Sequence, residues 1–296
     1  MKRLREFEYY EPASLDEAVQ LLSTAGDGAR VLAGGTDLVV DMKTGRMRPS
    51  TVVNLKGISG LSGVEDDGGG TRIGALTKVP VLEASPLVQQ RHPALAQAAS
   101  ILASPPVRAL ATIGGNVGRA SPASDLGPAL IVHDAHATVF GVDGARDERV
   151  EDLYVGPGAT SLAPSDIITH FSLPKPPPGF GSAHVKLGKR GSGTDIALAG
   201  VSVSVVIASA GEIFDCRIAL ASLGPIPFRA LATESLLRSK LPTEALLAAA
   251  AESASGEAKP IGDMRASASY RTRLARVLTL RALQGAIESA GVRVAA

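Results

Sequence analysis

The sequence predicts an α+β protein in three parts. Strand and helix patterns alternate as β-α-β-α-β through the first 55 residues, a proline-rich run divides the chain near residue 178, and beyond it three strand patterns precede three helical ones. The last arrangement reads as a C-terminal antiparallel sheet packed on helices. The texture also changes at Gly57, which gives boundaries at 1–56, 57–178 and 179–296.

Residues 7–11 read as a short strand closed by Pro12. Ser14-Leu15-Asp16-Glu17 is a capping box, and Leu15, Ala18, Val19 and Leu22 recur at helical spacing until Gly26 and Gly28 end the helix. Residues 30–33 form a strand broken by Gly34-Gly35-Thr36-Asp37; residues 38–42 resume as an apolar helix and 51–55 as a strand. Residues 58–64 and 71–73 flank an acidic, glycine-rich tip as a hairpin. Thr77 is the expected cap of a helix that includes 79–84, and 92–101 is an alanine-rich helix ended by Ser104-Pro105-Pro106.

Residues 112–126 read as a glycine-rich loop between apolar runs, 129–133 and 137–140 as apolar elements, 152–158 as a loop and 166–173 as an alternating strand. Proline favours extended backbone in Lys175-Pro176-Pro177-Pro178-Gly179. Strands are then expected at 182–187, 199–208 and 213–222, with Pro225 and Pro227 ending the sheet, and helices at 230–238, 243–254 and 267–290.

Composition limits the function. Hydrophobic residues make up 45% of the 296, but aromatics only 3%, so the core must be aliphatic. A net charge of +1, spread along the chain, gives no electrostatic case for nucleic acid or an anionic membrane as partner. Cys216 is the only cysteine, which excludes an intrachain disulfide and a Cys-ligated zinc or iron–sulfur cluster. Residues 1–12 lack the apolar segment of a secretory signal and no run is long enough for a membrane span, so the expected compartment is the cytoplasm.

Two turns share one plan. Val31-Leu32-Ala33-Gly34-Gly35-Thr36 and Ala111-Thr112-Ile113-Gly114-Gly115-Asn116 each place two glycines after a small or apolar approach and before a short polar side chain. Glycine admits close backbone approach, and successive amides in such turns form anion-binding nests. Two such turns suit the two phosphates of a dinucleotide. The spacing Gly114, Gly115, Gly118 is not the Rossmann GxGxxG, and no GxxxxGK[ST] or GxSxG motif occurs. The histidines, with His133 and His136 three apart, read as surface or buffering residues. Lys186, mid-strand, would ordinarily face solvent.

Ala33-Gly-Gly-Thr-Asp-Leu38, Thr112-Ile-Gly-Gly-Asn116, Ser121-Pro-Ala-Ser-Asp-Leu126, Lys186-Leu-Gly-Lys-Arg190 and Asp263-Met-Arg-Ala-Ser-Ala-Ser-Tyr-Arg271 occur in this order over nearly the whole chain. Together they resemble the FAD-binding medium subunit of molybdenum hydroxylases of the carbon monoxide dehydrogenase and xanthine dehydrogenase type. The resemblance implies two α/β subdomains of the vanillyl-alcohol-oxidase (PCMH-type) FAD-binding fold, with a C-terminal flavoprotein domain over the ring.

It also implies roles. Val31, Leu32, Ala33, Gly34, Gly35, Thr36, Asp37 and Leu38, with Thr112, Gly114, Gly115 and Asn116, would cradle the FAD pyrophosphate. Ser121 would bind nearby phosphate or ribose oxygens, and Asp125 would accept from a ribose hydroxyl or hold the loop. Ile168 would line the isoalloxazine, and Lys186 would approach the ring edge. Arg119 departs from the small or hydroxyl residue often found there; it would reach a phosphate or point to solvent.

By the same resemblance the substrate is oxidised on a large molybdopterin subunit. A small subunit with two [2Fe–2S] clusters passes electrons to FAD here, in an assembly expected to be a dimer of heterotrimers. No catalytic residue and no metal ligand is expected on this chain. The rival readings are a self-contained flavin oxidase of the same fold, which needs acids or bases near the ring, and an assembly protein that has lost FAD.

Overall fold

The computed structural model describes residues 4–190 and 195–295. The chain opens with a three-stranded parallel sheet, β1 (Glu8–Tyr10) and β2 (Ala29–Leu32) flanking β3 (Thr51–Asn54). Parallel neighbours require crossovers, here α1 (Leu15–Ala25) and α2 (Leu38–Thr44). The predicted capping box forms with a shift. The Glu17 amide donates to Ser14 Oγ at 3.2 Å, while Glu17 Oε2 accepts from the Ala13 amide at 2.9 Å. Gly26 stops the helix with φ 54°. Fully buried Leu22 contributes about 2 kcal/mol by leaving water.

The second part is a five-stranded antiparallel sheet of order β4-β5-β10-β6-β7. Its strands are β4 (Val64–Asp66), β5 (Gly70–Gly74), β6 (His136–Gly141), β7 (Gly144–Arg149) and β10 (Ile167–Pro174). Its helices are α3 (Val79–Ala84), α4 (Pro86–Arg91), α5 (Pro93–Ile101), α6 (Pro105–Arg108), α7 (Ile113–Gly118) and α8 (Leu126–Val132).

Several expectations are corrected here. The first hairpin strand starts only at Val64, because Gly60 and Gly63 turn the chain with positive φ. Thr77 does not cap α3; its Oγ accepts from the Gly63 amide and donates to the Gly63 carbonyl. The stretch 112–126 is not one loop but contains α7, capped by Thr112. Residues 152–158 include the small strand β8 (Tyr154–Gly156), paired with β9 (Ala159–Thr160). Helix α4 and strand β7 are additional to those expected, and Ser104-Pro105-Pro106, expected only to end a helix, opens α6.

The third part is a four-stranded antiparallel sheet, β11 (Phe180–Gly188), β12 (Ala197–Ile207), β13 (Ile213–Ala221) and β14 (Phe228–Arg229). The prolines at 225 and 227 do not end it; β14 resumes one residue later, opposite Ala219 and Leu220. Behind it lie α9 (Leu231–Leu237), α10 (Glu244–Glu257) and α11 (Ala268–Ser289). Leu274, Leu278, Ala282 and Ala286 of α11 share one core with Val201 and Val203 of β12 and with Cys216 of β13, which is 1% exposed. Among the described residues no helix is long and apolar enough to cross a membrane.

Buried polar contacts cross the seam between the second and third parts. The Ala94 amide donates to Ser182 Oγ at 3.1 Å, and Ser182 Oγ lies 3.2 Å from His133 Nε2. His133 Nδ1 is 2.7 Å from the Ala129 carbonyl. A carbonyl can only accept, so His133 donates through Nδ1, and in the neutral ring Nε2 is left to accept from the Ser182 hydroxyl. His92 packs edge-on to it with centroids 4.9 Å apart. His184 sits on Ser202 Oγ at 2.8 Å, and its amide donates to Gln97 Oε1 at 2.7 Å. The surface role expected of the histidines thus fails for these three, all of them buried.

Burial disfavours the charged imidazole and pushes His133 down to about 4, His184 to about 3 and His92 to about 2. Burial acts oppositely on Asp125, pushing it up to about 6. Below pH 6.5 the unfolded chain binds three protons that the folded histidines refuse, while folded Asp125 takes one. The net difference approaches two protons, so unfolding free energy should fall by about 2.7 kcal/mol per pH unit between roughly pH 6 and 4. Urea midpoints measured across that range test this; a flat profile contradicts it.

Candidate functional site

The two glycine turns meet edge to edge. The first, Gly34 to Asp37, joins β2 to α2; the second, Thr112 to Asn116, opens α7. A Cβ on Gly34 would lie 2.1 Å from the Leu110 carbonyl oxygen, and one on Gly114 would lie 2.7 Å from Ala75 Cβ. Those two glycines are required by chain packing on chain. Gly35 is required by conformation, with φ 74°. Gly115 differs. It is exposed, and a Cβ there would meet only Thr112 Oγ1 at 2.9 Å and Ala33 Cβ, across on the first turn, at 4.0 Å. Its open face is a cradle that a side chain would fill.

The amides divide the same way. In the second turn they are already engaged: Ile113 with the Thr77 carbonyl at 3.1 Å, Gly114 with Ala75 at 2.8 Å, Asn116 with Thr112 at 3.0 Å, and Gly115 with Thr112 Oγ1 at 3.1 Å. In the first turn, among the described residues, the amides of Gly34, Gly35, Thr36 and Asp37 donate to no protein acceptor. Four consecutive free donors before a helix N-terminus suit an anion.

The second turn offers side chains instead. Thr112 Oγ1 accepts from Gly115 and keeps its own proton free. Asn116 Oδ1 accepts from Ser124 Oγ at 2.6 Å, which turns the Asn116 amide nitrogen away from that contact. Ser124 Oγ in turn accepts from the Gly127 amide at 3.0 Å. Ser124 is a site residue that sequence reading missed; its spacing of three from Gly127 was the available signal.

Lys186 overturns the solvent-facing expectation. Its side chain is 1% exposed, and Nζ donates to Asp125 Oδ2 at 2.7 Å and to the Ile101 carbonyl at 3.1 Å. That joins β11 to the start of α8 and the end of α5. Asp125 Oδ1 is buried with no protein partner. Ser121 Oγ accepts from the Ala123 amide at 3.2 Å. Ile168 is 8% exposed in the core of the five-stranded sheet. The next carbonyl, of Thr169, holds the Ala75 amide at 2.9 Å, so this step of β10 lies behind the second turn. Val31 and Leu32 are half-buried in β2, and Leu38 begins α2. Arg119 reaches carboxylates: Asp41 Oδ2 at 3.0 Å and Asp37 Oδ1 at 3.5 Å. Among the described residues no three His, Cys, Asp or Glu side chains gather to hold a metal ion.

A family model described as the FAD binding domain in molybdopterin dehydrogenase matches residues 5–176, and one described as the CO dehydrogenase flavoprotein C-terminal domain matches 183–286. The carbon monoxide dehydrogenase medium chain of Hydrogenophaga pseudoflava is 35% identical over 280 residues, 95% of this chain and 96% of that one. A putative xanthine dehydrogenase FAD-binding subunit of Escherichia coli is 29% identical over 96% of this chain and 97% of its own. A solved carbon monoxide dehydrogenase from H. pseudoflava superposes with a TM-score of 0.93 at 34% identity, covering 97% of this chain and 99% of that one. Quinoline 2-oxidoreductase from Pseudomonas putida gives 0.90 at 25%, covering 98% and 99%.

Replacing Lys186 by Met strands the buried Asp125 carboxylate and should lower stability by roughly 3–5 kcal/mol. Adding Asp125→Leu should recover most of that loss, because the unpaired charge is gone. Denaturant unfolding of both variants checks this; equal loss in both would contradict it.

Proposed function

Because this chain belongs to the family of FAD-binding medium subunits of molybdenum hydroxylases, and is therefore an oxidoreductase subunit, we propose how its residues hold FAD and which step it serves. The free amides of Gly34, Gly35, Thr36 and Asp37 bind the pyrophosphate from one side. Thr112 Oγ1 and the Asn116 amide nitrogen bind it from the other, across the open face of Gly115. Ser121 adds a hydroxyl nearby. Lys186 and Asp125, with Ile168 behind the second turn, form the end that takes the ring. Asp125 Oδ1, buried and unpartnered, suits a ligand hydroxyl. The bound flavin supplies the ability to accept single electrons and release pairs.

The chain's own work is to bind, orient and shield. It serves as the electron-transfer component between the [2Fe–2S] clusters of a small subunit and an external acceptor, while a large molybdopterin subunit oxidises the substrate. The assembly is a dimer of heterotrimers in the cytoplasm. The division at 1–56, 57–178 and 179–296 is supported by the three main sheets. A self-contained oxidase is disfavoured, because the buried histidines that could act as bases sit on seam partners. Loss of FAD is disfavoured by the first turn's free amides, the observation that carries this reading.

The full-length chain should bind about one FAD and turn yellow. Gly115→Val should abolish that binding while the C-terminal domain stays folded, read by FAD titration alongside thermal unfolding. Retained flavin in the valine variant contradicts the placement. Masses of chains co-purified from native extract should include a molybdopterin subunit and an iron–sulfur subunit.

A further inference from the structure

Residues 4–56 meet the rest of the chain through an apolar core and, at Gly34, through backbone packed on Leu110. Ala18, Val19, Leu22 and Val53 share a core with Leu61, Leu76 and Ile167. Among the described residues, the only ion pairs across this boundary are those of Arg119, and the only hydrogen bond across it is local, from the Ile58 amide to the Leu55 carbonyl.

The placement of Arg119 gives those pairs leverage. It caps the C-terminal end of α7, whose N-terminus is the second glycine turn. Asp37 and Asp41 lie at the start of α2, directly after the first. Nη1 is 3.0 Å from Asp41 Oδ2, and Nε is 3.5 Å from Asp37 Oδ1. The Asp41 side chain is only 6% exposed, and its other oxygen lies 3.0 Å from Arg46 Nε. Aliphatic contact and the backbone of Gly34 packed against Leu110 set how closely the turns can approach, and they leave the turns free to part. A guanidinium on a nearly buried carboxylate limits how far they part.

We propose that Arg119 is a positioning residue that clamps the two FAD turns at their working separation, acting through Asp41 and not by touching the phosphates. Its charge is met by two carboxylates, which leaves the amides of the first turn as the anion's donors. The inference rests on the FAD reading above.

The test is FAD binding by the full-length chain, followed by flavin fluorescence, as a cycle of Arg119→Ser, Asp41→Asn and the double variant. The expected result is binding about fivefold weaker in each single variant, mainly through faster release, with little further loss in the double. The wild-type affinity should fall with added salt more steeply than that of Arg119→Ser. Two results overturn the clamp while leaving the FAD reading intact: Arg119→Ser binding as tightly as wild type, or Asp41→Asn binding FAD normally while Arg119→Ser loses it, as direct phosphate contact would require. If Arg119→Ser fails to fold, Asp41→Asn against wild type decides alone. A wild-type chain that takes up no FAD overturns the FAD reading and this inference with it.

Discussion

The buried pair Lys186–Asp125 is the contact on which the two halves depend. A charge this deep is tolerable only with its partner in place and its remaining donors used. Lys186 has its partner in place and uses a second donor on the Ile101 carbonyl. The consequence is geometric: one side chain ties β11 to the end of α5 and to the start of α8. The neutral chain from Ala94 through Ser182 and His133 to Ala129 repeats the constraint at the other end of α5. With the His184 amide on Gln97 between them, the C-terminal sheet is docked at three points along one helix.

Glycine does two different jobs in the paired turns, and the motif hides the difference. Gly34 and Gly114 are small because protein backbone and side chain press on them; Gly115 is small with space in front of it. A repeated Gly-Gly pattern therefore signals a place where two subdomains touch as much as a place where a ligand binds. The donors are unequal too. One turn offers backbone and the other offers Thr112 and Asn116, the latter oriented by Ser124.

Much of the fold was legible in the sequence where local chemistry dominates. The capping box at Ser14, the strands flanking the proline run and the long helix ending near Ala290 all follow from short-range patterns. The misses share a cause. α7 is half glycine, so propensity argues against a helix that tertiary contacts to Ala75 and Thr77 impose. β14 needs its partner β13 to exist at all. Histidine burial and the Lys186 pairing are long-range facts, separated by 49 residues for His133–Ser182 and 61 for Lys186–Asp125, and no local spacing encodes them. The order of the motifs did carry the family, because five short stretches in sequence constrain more than any one of them.

The single cysteine has a use beyond its place in the packing. Cys216 lies inside the C-terminal core at 1% exposure, and burial pushes its thiol up, away from the reactive thiolate. The native chain is thus close to a silent background for thiol chemistry. A cysteine introduced on either glycine turn, or on the lip of the seam, would carry a spectroscopic label at that position alone. Motion of the first subdomain against the second becomes a distance that can be read without altering the natural sequence elsewhere.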